Sequence, residues 1–428
     1  MAHTLKPTTG LVVPAEAAAL YAALHRGDAI EDLRFLTDKQ WDRLLRFSDL
    51  AHLTLPLARA SSVKLPDWVR ERLNTNLRDN RDRFRRIKAT YQEAEICMRQ
   101  AGIEYLLVKG FTLAPDYVEY PWLRQQSDLD FYIFDSRLLE PAQKALMSIG
   151  YSPNTMVDFR RADHTPTLYR LGDWVWSGNA FDSEMPLSIE LHFSLWNEKV
   201  TLISIDEIAK FHERRRIRNI EGMQVPVLDD VDILGHLSMH ILRDLLAYGT
   251  PIHHLYEVSE FLDKRAHSND FWQKWQMQHS LALRAKEVIA FGLARRCFGC
   301  TIPEAAEELL STLPREQSSW LEQFGQIPLE IPFRESKDAV WLHWSLLKHS
   351  RNRKNLIRRA FFPNRLPDPD FEPLLLEKRL SRESRRKTFL LVLVYSCKRA
   401  IAHSKLSLRT LSHGTIWLLR WKCSSVNS

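Results

Sequence analysis

Asp128 and Asp130 stand one residue apart in the stretch "QQSDLDFYIF", residues 125–134. In an extended strand residues i and i+2 share a face, so the two carboxylates project together while Leu129 and Phe131 turn to the other side. Two like charges so placed repel unless a cation lies between them. Hard carboxylate oxygens select Mg2+, with Mn2+ as a second choice; such an ion keeps several waters and is commonly shared with substrate phosphates. The plain alternative is an edge strand carrying two solvated acids, but the run "FYIF" is too apolar for an edge open to water. A third carboxylate lies in "LSIELHFSLW", residues 187–196, where Ser188, Glu190 and His192 alternate with Leu187, Ile189, Leu191 and Phe193. If the two strands are neighbours, three carboxylates converge. That arrangement binds two metal ions about 3.5–4 Å apart for in-line phosphoryl or nucleotidyl transfer.

Such a reaction also needs a holder for phosphate. The stretch "YLLVKGFT" ends a strand in Lys109 and Gly110, where the chain can turn tightly and aim backbone N–H groups at an anion. Lys109 would add a point charge. Arg124, four residues before Asp128, would supply a fork-shaped phosphate contact.

The elements that must position these groups follow from the pattern of the chain. Residues 1–100 read as an N-terminal helical region: "EAAALYAALHRG", "DKQWDRLLRFSDLAHLTLPLARA" and a long helix from Pro66 to Gln100 stopped at Gly102. Residues 101–228 read as a small mixed-sheet core. Its strands lie at 103–110, 128–134 and 187–196, its helices at "FTLAPDYVEY" and "SRLLEPAQKALMSIG", and a loop or hairpin insertion at "LGDWVWSGNAFDSEMP". Residues 229–350 read as a C-terminal helical domain and 351–428 as a basic tail. The expected class is α+β, a mixed-sheet core flanked by helical regions.

These motifs, taken in order ("YLLVKGFTLA", "YPWLRQQSDLDFYIF", "ALMSIGY" and "IELHFSLW"), resemble the bacterial nucleotidyltransferase family of the polymerase-beta-like superfamily over about Ile103 to Trp196. The resemblance implies that Asp128, Asp130 and Glu190 are metal ligands, with Glu190 also drawing the proton from an attacking hydroxyl. It implies that Gly110 cradles phosphate while Lys109 and Arg124 neutralise it. It further implies an NTP donor, ATP among the choices, and an acceptor that is a small molecule, saccharide, peptide or RNA. One departure stands out: most active members have Gly-Ser where this chain has Gly110 and Phe111, and the nearest hydroxyl is Thr112. A bulky Phe111 there would narrow the approach to the phosphate. Two other readings remain open, a catalytically silent nucleotide-binding module of the same fold and a sugar-nucleotide glycosyltransferase with an Asp-x-Asp motif.

Composition limits the remaining possibilities. Five cysteines, odd in number and mostly scattered, do not make a disulfide framework. Cys297 and Cys300 form a single C-x-x-C without the second pair a zinc site needs, so two small buried residues are expected. His236 and His240, at i and i+4, are expected at a domain interface or lining an acceptor pocket rather than on a metal. From residue 351 onward 18 Lys and Arg face 5 Asp and Glu, a surplus of 13 positive charges that leaves residues 1–350 at a net −6. Such a tail suits nucleic acid phosphates, an anionic membrane surface, or water alone. The opening "MAHTLKPTTGLVVPAEAAAL" lacks the pattern of a secretory signal, and "FLLVLVY" falls far short of the roughly 20 apolar residues that cross a bilayer. The expected location is cytoplasmic, or peripheral at the inner membrane face.

Overall fold

The computed structural model describes residues 11–25, 30–60, 65–154, 162–170, 172–363 and 382–423. The parts of the basic tail at 364–381 and 424–428 lie outside the described residues. In chain order the strands are β1 (Leu106–Val108), β2 (Asp128–Tyr132), β3 (Ser152–Pro153), β4 (Leu168–Tyr169), β5 (Ser188–His192), β6 (Arg216–Ile220) and β7 (Met223–Val227). The helices before and within the sheet region are α1 (Ala15–Leu24), α2 (Asp38–Leu50), α3 (Thr54–Ala60), α4 (Asp67–Gln100), α5 (Leu139–Ser148) and the single turn α6 (Glu198–Thr201). After it come α7 (Asp230–Leu246), α8 (Ile252–Arg265), α9 (Asn269–Gln278), α10 (Leu281–Phe298), α11 (Glu304–Ser311), α12 (Arg315–Phe324), α13 (Ile327–Glu330), α14 (Ala339–Leu346), α15 (Ser350–Phe361) and α16 (Arg382–Cys423).

The chain divides into two units. One comprises Met1–Leu313 with Pro328–Phe333, the other Pro314–Ile327 with Arg334–Ser428. The first contains a five-stranded mixed sheet of order β1-β2-β5-β4-β3 and a separate β6–β7 hairpin among helices, so the fold is α+β. β2 lies antiparallel to β1 and parallel to β5, and β5 lies antiparallel to β4.

The sheet is buried by α4. This helix repeats apolar residues at helical spacing, Phe84, Ile87, Tyr91, Ala94 and Met98, and they join Phe111, Leu129, Phe131, Ile189 and Leu191 in one core. Each Leu, Ile, Phe or Met side chain among them, taken fully out of water, contributes about 1.5–3 kcal/mol. Phe111 is fully buried, its ring 6.1 Å from that of Phe84 and 5.5 Å from that of Tyr91. The bulky side chain expected to narrow the phosphate approach therefore points into the core instead.

Three local expectations are amended. "DKQWDRLLRFSDLAHLTLPLARA" breaks into α2 and α3, because His52 takes a positive φ of 57° between them. "FTLAPDYVEY" forms a four-residue 3-10 turn, Gly110–Leu113, and not a longer helix, since Pro115 removes a backbone donor. The β6–β7 hairpin was not anticipated: it is the alternating stretch "RIRNIEGMQVPV", turned at Glu221 and Gly222, both at positive φ.

Candidate active site

Parallel pairing of β2 with β5 sets Asp128 opposite Ser188, Asp130 opposite Glu190 and Tyr132 opposite His192. The period-two alternation of both strands puts Leu129, Phe131, Ile189 and Leu191 into the core. The opposite face carries the acids.

Asp130 is nearly enclosed, its side chain 2% exposed, and one of its oxygens, Oδ1, has two cationic partners. Lys109 Nζ lies 3.0 Å away and His192 Nε2 2.8 Å away. His192 Nε2 also lies 3.4 Å from Glu190 Oε2, and the Thr167 hydroxyl donates to Glu190 Oε1 at 3.1 Å. Glu190 keeps 21% of its side chain exposed, so the cluster opens toward solvent on its side.

The electrostatics follow from crowding. Burial and the negative charge of Asp130 push the Asp128 carboxyl up to about 6, against the pull of Lys109. Burial also disfavours the charged form of Asp130, but Lys109 and His192 outweigh it and hold that group well below the usual carboxylate range. His192 is likewise opposed by burial, yet its hydrogen bonds to Asp130 and Glu190 raise it to about 9. Lys109 stays raised despite burial because Asp130 and Asp128 face it.

The phosphate-holding groups expected from the sequence divide. Gly110 sits at φ 55°, and a Cβ there would come within 2.4 Å of Gln126 Nε2. Gln126 in turn donates from Nε2 to the Asp128 carbonyl, so only glycine lets the Lys109–Gly110 turn close onto the start of β2. Lys109 itself has φ 58° and aims its ammonium at the carboxylates. The Thr112 hydroxyl is buried and donates to the Lys109 carbonyl at 2.5 Å. Arg124 is committed elsewhere: its Nε lies 2.6 Å from Glu257 Oε1 on α8, although its charge still favours ionised Asp128.

Other residues the sequence did not single out complete the placement. Buried Arg83 on α4 donates to the Gln126 carbonyl just ahead of β2 and to the Asp182 and Met185 carbonyls just ahead of β5. Asn80, one turn earlier, donates to the Trp122 and Arg124 carbonyls. One helix thus sets the entry of both acidic strands. His192 shares the face of Glu190 by simple alternation, which is the signal that marks it. The segment around Asp163 lies against β5, with His164 bridged to His192, and Asp163 pairs with Arg243 of α7. His236 is buried near Lys109 and His240 packs 4.8 Å from the His254 ring. Cys297 and Cys300 are both buried.

Past the ends of β2 and β5 opens a cleft of about 310 Å3, lined in part by Tyr132, Asp163, Phe193, Trp196, Asn197 and Lys199. The donor atoms of Asp130, Glu190 and His192 lie within 4.8 Å of one another, close enough to share one ion; among the described residues no other such group occurs. Asp128 stands beside this trio and outside it.

No curated protein and no solved structure matches the chain. A family model described as "Uncharacterised nucleotidyltransferase" matches residues 37–299, a span that takes in the sheet, the acidic cluster and the helices around it. With more than half its length covered, the chain belongs to this uncharacterised nucleotidyltransferase family.

Proposed function

We propose that this protein moves a nucleotidyl group from an NTP to an acceptor hydroxyl, with Asp128, Asp130 and Glu190 arranged as in the polymerase-beta-like superfamily. The observation that supports this reading best is the β2–β5 register, which sets Asp130 opposite Glu190 with Asp128 on the same face.

The donor set fits a divalent cation. Three carboxylates on one face suit Mg2+, with Mn2+ as a second choice, while His192, protonated and bonded through Nε2 to Asp130, serves as their partner and offers no lone pair. Asp128, Asp130 and Glu190 would hold the ion, which when bound supplies charge neutralisation at phosphate and a template for the leaving and attacking oxygens.

The rest is the work of the chain itself. Lys109 and the Gly110 turn put a fixed positive charge beside the carboxylates, where phosphate oxygens gather. His192, bonded to Asp130 and lying close to Glu190, orients both side chains. Glu190, about one-fifth exposed to solvent and held low by His192 against its burial, can take the proton of an incoming hydroxyl. The 310 Å3 cleft, with aromatic and polar walls, takes the acceptor; its size suits a saccharide or other small polar ring compound, or the end of a peptide or RNA.

A second reading, a nucleotide-binding module without turnover, draws on Lys109 sitting on Asp130 and on the Thr112 hydroxyl turning inward. Titration calorimetry with each NTP and Mg2+ or Mn2+, combined with an assay of pyrophosphate release, separates the two. The parent should bind one NTP only with metal, and Asp130→Asn with Glu190→Gln should lose that binding and at least about a thousandfold of release. Binding without release would select the silent module. Failure of the parent to bind any NTP would sink both readings.

A further inference from the structure

The second unit offers a surface that the transfer reaction does not use. Within it α16 packs one face inward: Trp417 and Thr410 are buried, Trp341 Nε1 donates to the Thr410 carbonyl, and a Cβ on Gly414 would strike the Trp341 ring at 2.2 Å. At about 100° per residue, the face opposite Thr410 carries Val394, Ile401, Leu408 and Leu419, which are 49%, 58%, 69% and 57% exposed. Leu411 and Ile416 are also exposed and lie at the margins of this stripe.

A row of large aliphatics aligned on the solvent side of a helix marks an interaction surface. Charge says what kind. Lys398 and Lys405, both exposed, follow Val394 and Ile401 by four residues and so flank the stripe along one side. From 384 to 423 the helix has no Asp or Glu at all.

Three occupants can be compared. A second copy of this helix would bring Lys398 and Lys405 against like charges with no acid to answer them. A nucleic acid would engage the lysines but leave the aliphatic row facing water. An anionic lipid surface takes both, the aliphatics entering the boundary between headgroups and acyl chains and the lysines reaching up to phosphate. Among the described residues no helix is long and apolar enough to cross a membrane, so the contact lies in the plane of the surface.

We propose that the face of α16 from Val394 to Leu419 docks this protein on an anionic lipid membrane.

The test is flotation of the full chain with vesicles of mixed phosphatidylserine and phosphatidylcholine, against vesicles of phosphatidylcholine alone. The parent should float with the anionic vesicles and much less with the neutral ones. Ile401→Gln with Leu408→Gln should reduce flotation at least about tenfold, and Lys398→Gln with Lys405→Gln by roughly tenfold or more and in a salt-sensitive manner. All four positions are exposed, so unchanged melting curves verify folding. No flotation by the parent overturns the proposal. So does binding to a short RNA or DNA duplex that the lysine pair abolishes and the aliphatic pair leaves intact, without flotation. A parent dimer in solution that the aliphatic pair converts to monomer, again without flotation, would assign the stripe to a second copy.

Discussion

The first unit holds two clusters in which a buried imidazole stands between two carboxylates, and they differ in what they leave over. In the helical part His279 is fully enclosed, with Nε2 3.1 Å from Asp232 Oδ1 and Nδ1 2.9 Å from Glu287 Oε1. Arg214 pairs with Asp232 through both Nε and Nη2, and the Trp275 indole donates to Glu287 Oε2. Two acids there face a guanidinium and an imidazolium, and every carboxylate oxygen has a partner. In the sheet, among the described residues, the three carboxylates of Asp128, Asp130 and Glu190 meet two close cations, Lys109 and His192, with His164 Nε2 farther off at 3.9 Å from Glu190 and Arg124 acting on Asp128 from a distance, and Glu190 opens to solvent. The same residue types make a dry strut in one place and an unsatisfied centre in the other. Spare acceptor capacity separates them, and that is what a cation or a substrate proton requires.

Breaking the strut should have the largest effect on stability. Glu287→Gln leaves the charge of His279 half uncompensated in a dry site and should cost about 3–5 kcal/mol in a urea titration. Its metal-dependent NTP binding under native conditions should match the parent. If Glu287→Gln unfolds at the same urea concentration as the parent, the two clusters are less different than their geometry suggests.

A pH series sharpens the contrast. Burial opposes the charge on His279, but Glu287 and Asp232 raise it to about 9 from an ordinary 6.5. The folded protein therefore holds this proton after the unfolded chain has released it. The stabilisation is whole below the unfolded value and is lost as pH rises through the folded one. The parent should lose up to about 3 kcal/mol relative to His279→Gln between about pH 6.5 and about pH 9.5. A constant difference between parent and variant across that window would mean that His279 is neutral.

The smallest expected effect belongs to the sheet. Asp128→Asn removes the surplus charge, so in metal-free buffer its unfolding free energy should equal that of the parent or exceed it by on the order of 1 kcal/mol. Added Mg2+ should then stabilise the parent more than the variant. A variant that melts far below the parent without metal would show that Asp128 is structural.

Much of the centre was legible from alternation alone, because period two leaves no choice about which residues share a face: Asp128 with Asp130, and Glu190 with His192. The α4 stripe against the sheet was legible for the same reason at a period of 3.6. What stayed hidden depends on distant partners. Arg124 meets Glu257 across 133 residues, and Asp232 meets His279 across 47. No local pattern marks such pairs, so Arg124 reads from sequence as a free phosphate contact. The break at His52 was missed because helical spacing continues across it. Phe111 was misjudged because a residue beside a glycine turn can point either way, and only the cluster of Phe84 and Tyr91 decides which.

The parallel pairing of β2 with β5 has a consequence for how the centre comes into being. Asp130 and His192 are separated by 62 positions, and parallel neighbours cannot zip up from a tight turn as antiparallel ones do. Loop closure over that distance must come before the reward of pairing. A nascent or partly folded chain therefore holds Asp128 and Asp130 apart from Glu190 and His192, and the centre exists only once the long-range topology is complete.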